Sequence, residues 1–150
     1  MRYEASTTSI LVTATANAPL VAIRAPATER AVLREFGVTL QAATSTRLGL
    51  VRATTVSVTP ASTVAGVNQE PGAPVGATLL VAGWATAPVV AAVYMRRMTL
   101  PAAIGAGFAW TWSADMAPEI GTGAAIGELV ICNLVAVAPS LFDFYAIWED

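Results

Sequence analysis

The sequence predicts an all-β protein: an antiparallel β-sandwich of about eight to ten short strands, closed as a jelly roll. Three observations carry this reading. No segment of ordinary helix length sets apolar residues at i, i+3, i+4 and i+7 against a charged opposite face, although alanine is plentiful. Short runs rich in Val, Ile, Thr and aromatic residues recur instead, mostly bounded by Pro, Gly, Asn or Ser. Several runs alternate with a period of two, which places every second side chain on one face of a pleated strand.

In chain order, residues 1–8 (MRYEASTT) read as a mixed-charge N-terminal arm ahead of the first apolar run, leaving 9–150 as a single domain. Strands are expected over 9–16, 20–24, 31–40, 47–53, 55–59, 78–82, 92–100, 107–113, 128–137 and 141–148. Residues 60–77, with Pro60, Pro71, Pro74, Gly66, Gly72 and Gly76, read as an extended surface loop crossing between sheets. In 107–113 the rings of Phe108, Trp110 and Trp112 share one face opposite Gly107, Ala109 and Thr111. In the last strand Phe142, Phe144, Ala146 and Trp148 share a face, and Asp143, Tyr145, Ile147 and Glu149 the other.

Composition narrows the function. Hydrophobic residues make up 55% of the 150 and charged residues 12%, so the chain has ample material for one core and is not disordered by excess charge. The net charge is −2 and the eight basic residues are dispersed, leaving no basic stripe for nucleic acid. Histidine and lysine are absent and Cys132 is the sole cysteine. His-based triads, Schiff-base chemistry, ordinary zinc sites and an internal disulfide are thereby removed, and no cofactor is expected. Cys132 sits in an apolar run with no cation beside it and reads as a core residue. The uncharged stretch 77–95 is long enough to span a bilayer, but Gly83, Thr86 and Pro88 interrupt it, so neither a membrane span nor a secretory signal is expected.

The carboxylates worth weighing as a catalytic pair are Asp115 and Glu119, since glycoside hydrolysis needs two carboxyls across the scissile bond. Their Pro- and Gly-containing turn reads as a solvated connection instead, and the chain is not expected to be an enzyme. The GTGAAIG run around Thr122 and Gly123 mimics a phosphate loop, yet the strand-like ELVICNLV follows it where a helix N-terminus is required. Arg96 and Arg97 lie in a predicted strand and project to opposite faces, so an ion pair across a subunit boundary, with Glu35 or Asp143 as acceptor, is one expectation and a solvated edge strand the other.

Several runs resemble a known family: LGLVRA (48–53), WATAP (84–88), YMRRMTLPAAIGAGFAWTW (94–112) and LVICNLVAVAPSLFDFYAIWED (129–150). They resemble the small jelly-roll proteins that decorate the capsids of tailed bacteriophages and prophages. The resemblance implies a virion protein on the capsid exterior, assembled in the host cytoplasm, that sits as a homotrimer at three-fold positions and reinforces the shell. Its implied partners are its own copies and the major capsid protein, with no nucleic acid and no membrane. Arg96, Arg97, Phe108, Trp110, Trp112, Phe142, Phe144 and Trp148 are then the candidates for the trimer interface, because these rings exceed what one thin sandwich must bury. Arg2, Tyr3 and Glu4 of the arm are the candidates for gripping the capsid. The alternatives are a receptor-binding tip on a phage tail fibre or baseplate and a carbohydrate-acting enzyme.

Overall fold

The computed structural model describes residues 1–121 and 127–150. Among these residues there are thirteen strands and no helix: β1 (Arg2–Thr8), β2 (Ala18–Arg24), β3 (Ala31–Leu40), β4 (Thr46–Thr55), β5 (Val58–Ala65), β6 (Val67–Asn68), β7 (Leu79–Thr86), β8 (Val89–Val90), β9 (Arg96–Leu100), β10 (Gly107–Thr111), β11 (Glu119–Ile120), β12 (Glu128–Asn133) and β13 (Phe142–Glu149). Thr122 and Gly123 of the phosphate-loop mimic lie outside the described residues.

The strands form two antiparallel sheets. The first runs β10-β3-β13-β1-β6, with β11 also on β3, and the second runs β5-β7-β2-β12-β4, with β8 and β9 successively along the far side of β4. Setting aside β5 to β8, the order is β10-β3-β13-β1 in one sheet and β2-β12-β4-β9 in the other. That is the double Greek key of a jelly roll, with every connection of these eight strands except β4 to β9 passing between sheets. The β5–β8 insertion lengthens both sheets at one side, β6 beside β1 and β7 with β5 beside β2.

The core is the space between the sheets. Phe36, Val38, Leu40, Phe142, Phe144, Ala146 and Trp148 enter it from the first sheet, and Val21, Ile23, Leu48, Leu50, Leu80, Leu129 and Ile131 from the second, all buried. Rings interlock there: Phe36 lies 6.0 Å from Phe144, Phe142 meets Phe144 edge to face at 6.1 Å, and Tyr3 stacks on Trp148 at 6.3 Å. The indole Nε1 of Trp148 has no hydrogen-bond partner, so this ring stabilises the fold through packing alone.

Three expectations are corrected here. Residues 1–8 are no free arm: β1 pairs with β13 along its whole length, from Arg2 opposite Glu149 to Thr8 opposite Asp143, with Tyr3 and Ala5 turned into the core. Residues 9–16 form no strand. The expected loop 60–77 begins as most of β5, an edge strand that tolerates Pro60 because its outer side needs no N–H donor, and the ladder slips between Pro60 and Ser62.

Replacing Trp148 with alanine should destabilise the fold by about 3–5 kcal/mol, the range for emptying a buried aromatic site. Denaturant unfolding followed by tryptophan fluorescence would measure it, and a loss below about 1 kcal/mol would contradict this packing.

Candidate interaction surface

The outer face of the first sheet is polar by strand alternation, and one bulge adds to it. Ile147 pairs with Glu35 while Trp148 pairs with Leu33, so β3 carries an extra residue and turns both Arg34 and Glu35 outward. Arg34 donates to Glu149 at 2.5 Å, and Tyr145 donates its hydroxyl to Glu35 at 2.5 Å. The Tyr145 ring lies across Gly37, where a Cβ would collide with it. Farther along, Asp143 accepts from Thr8 (2.6 Å) and from the Gln41 amide (2.8 Å). The Arg34 hydrogen bond holds the Glu149 carboxyl below its usual range, whereas donation to Glu35, aided by desolvation, pushes the Tyr145 phenol up to about 12.

The outer face of the second sheet is covered by its own chain, with Val89 and Val93 of the cover left exposed. Ala22, Val51, Ala53, Val81, Val130 and Cys132 form a second buried cluster, covered by Leu79, Trp84, Val90, Ala91 and Tyr94. Tyr94 lies over Gly49, where a Cβ would strike its ring, and donates to Asn17 at 2.8 Å. Burial pushes the Cys132 thiol up to about 12, so Cys132 is a packing residue and not a nucleophile at neutral pH. Residues 77–95 thus supply β7, β8 and this cover, and no helix among the described residues is long and apolar enough to cross a membrane.

One side of the sandwich stays open. There β10 edges the first sheet and β9 edges the second, and Phe108, Trp110, Trp112 and Met98 reach the core from the rim while remaining partly exposed. Phe108 and Trp110 pack against each other at 4.5 Å, and Trp110 stacks on buried Phe36 at 6.2 Å. Arg96 and Arg97 are exposed on the same edge. Neither forms an ion pair among the described residues, where Glu35 and Asp143 have other partners; Arg97 stacks on the Tyr94 ring at 5.1 Å. The structure therefore gathers Arg96, Arg97, Phe108, Trp110 and Trp112 at one edge. It withdraws Phe142, Phe144 and Trp148, which fill the core of their own subunit. Strand parity groups these rings by face, but only sheet order separates the central β13 from the edge strand β10.

A second surface was not anticipated from sequence. The loops 9–17, 41–45, 101–106 and 134–141 all meet at one end of the jelly roll, and none contains a charged residue. Ile10, Val12, Ile104 and Val137 are all exposed there, Ile104 by 75%. The loops stand on buried polar side chains. The Asn133 amide nitrogen reaches the carbonyls of Thr13 (3.0 Å), Val135 (2.7 Å) and Val137 (2.9 Å), Ser9 accepts from the Phe142 amide (3.0 Å), and Thr46 accepts from the Ser140 amide (3.0 Å). The three ion pairs among the described residues, Arg24–Glu128, Arg30–Glu119 and Arg34–Glu149, lie toward the opposite end. The molecule is polarised along its strands, charged at one end and apolar at the other.

The acids weighed as a catalytic pair each have a partner of their own. Glu119 is engaged by Arg30 at 3.3 Å, and a hydrogen bond from Ser113 holds the Asp115 carboxyl below its usual range, the opposite of what a general acid needs. Among the described residues no group of His, Cys, Asp or Glu side chains could hold a metal ion. Of the residues expected to grip a capsid, Tyr3 is buried, while Arg2 and Glu4 are exposed on the outer face of the first sheet rather than on an arm. Comparison with known proteins found no matching family, no similar curated protein and no similar solved structure.

The Tyr145–Glu35 bond predicts an alkaline titration. A phenol raised above its unfolded value of about 10 contributes stability that is present below that pH and is lost as pH rises through about 12. Ultraviolet absorbance of the folded protein should show this late phenol, and Glu35→Gln should return it toward 10. An unchanged titration in the variant would refute the bond.

Proposed function

We propose that this protein is a non-enzymatic structural subunit of a phage particle, which associates as a homotrimer and decorates and stabilises an icosahedral capsid at its three-fold positions. The observation that carries the reading is the charge-free apolar end, built from four loops on buried polar supports and presented beside an open aromatic edge. Interface cores are depleted of charge, since charged groups resist desolvation, and exposed apolar surface of this kind marks association sites. The edge serves contacts between copies, and the apolar end serves the seat on the major capsid protein, in place of the arm expected from sequence. The jelly-roll order agrees with the fold that the family resemblance implies. Preformed loops lose little conformational freedom on docking, which favours a firm seat, and three seats on one trimer raise the effective concentration of each after the first.

Electron cryo-microscopy of particles purified with the protein tests the proposal. Knobs on three-fold positions of the head are expected, and a location at the tail would instead support the receptor-binding alternative. Ile104→Asp combined with Val137→Asp should lower binding to undecorated heads at least about a hundredfold while leaving the oligomer intact, because each buried unpaired carboxylate costs several kcal/mol. Co-sedimentation with heads measures it, and undiminished binding would move the seat elsewhere.

A further inference from the structure

The open edge and the opposite side of the same subunit are complementary. Opposite β9 and β10, where the insertion extends both sheets, a groove of about 470 Å³ opens between β1, β5 and β6, lined by Glu4, Ala5, Ser6, Val64, Val67 and Tyr145. Its apolar wall is exposed, Val67 by 66%, and its small side chains leave space at the scale of sites that take large groups. Glu4 is exposed, forms no ion pair among the described residues and meets only the Gln69 amide at 3.1 Å. The β9–β10 edge offers the counterpart: partly exposed rings flanked by the cations Arg96 and Arg97, which have no carboxylate partner among the described residues.

We propose that the β9–β10 edge of one subunit packs into the β1–β5–β6 groove of a second copy, with Arg96 and Arg97 facing Glu4, and that this head-to-tail contact repeats to close the ring. The inference rests on the trimer reading above and specifies its contact. Two arguments select this geometry. A two-fold contact brings the same patch of both subunits together, and here it would set Arg96 and Arg97 against their own copies with no carboxylate between them. A three-fold ring needs two different patches on each subunit, and these two have opposite charge and matching apolar character.

The test uses the full chain in sedimentation velocity at micromolar concentration, with near-ultraviolet circular dichroism as the check of fold. Wild type should sediment as a trimer. Arg96→Glu with Arg97→Glu should raise the concentration for half-dissociation at least about tenfold, as should Glu4→Arg alone, and all three substitutions in one chain should restore the trimer. Val67→Arg, which places a cation in the groove at an exposed position, should dissociate it without any change at the edge. A monomeric wild type would overturn the trimer reading itself. A trimeric wild type whose reversed-charge and Val67→Arg variants stay trimeric would overturn this contact and leave the trimer standing, as would dissociation that the combined substitutions fail to rescue.

Discussion

The structure depends on the pairing of the first strand with the last. β13 lies between β1 and β3, and its inward row of Phe142, Phe144, Ala146 and Trp148 forms one wall of the core. Its neighbours are separated from it by most of the chain, so the first sheet has no local hairpin to nucleate it. The two chain ends are bound to each other, with the Met1 amine donating to the Asp150 carbonyl at 2.8 Å and the Asp150 amide returning to Met1 at 3.1 Å. Tyr3 then covers the Trp148 ring from β1, so the terminal strand closes the core as well as the sheet.

From that closure follows the division of labour among the surfaces. A jelly roll has two outer faces, two sides and two ends. Polar side chains of β1, β3 and β13 solvate one outer face, and the segment carrying Trp84, Val90 and Tyr94 covers the other. The insertion that supplies this cover also lengthens both sheets at the β5–β6 side, leaving the β9–β10 side shorter and its rings partly exposed. Apolar side chains are exposed at that edge, in the groove opposite it and at the uncharged loop end, and also on the cover itself, at Val89 and Val93.

Much of this was legible in the sequence where a strand alternates and is bounded by turn residues. The expected strand 31–40 matches β3 at both ends, and the parity of Phe142 to Trp148 sent the correct face inward. The segment 9–16 failed because ILVTATA has β-forming residues throughout, yet it lies beyond the sheet, where Asn133 captures its backbone in place of a neighbouring strand. β1 failed for the opposite reason: RYEASTT is polar on its solvent face and offers only Tyr3 and Ala5 to the core, a weak signal whose weight comes from a partner strand at the far end of the chain. The candidate interface residues divided along the same line, since periodicity assigns a ring to a face but only long-range pairing decides between a central strand and an edge.

The position of Arg97 shows how the second buried cluster reaches the open edge. Gly49 has no side chain, so the Tyr94 ring can lie directly on β4, and Arg97 stands opposite Gly49 on β9. Burial of the ring raises the Tyr94 phenol to about 12, keeping it neutral and able to donate to Asn17 throughout the physiological range. The face of that ring holds the Arg97 guanidinium at 5.1 Å, a contact that restrains the charge without neutralising it. A carboxylate in the same place would have cancelled the charge. The cover of the second sheet thus presents a restrained cation, without a carboxylate partner among the described residues, at the edge where the rings lie partly exposed, joining the packing of the second cluster to the polarity of that edge.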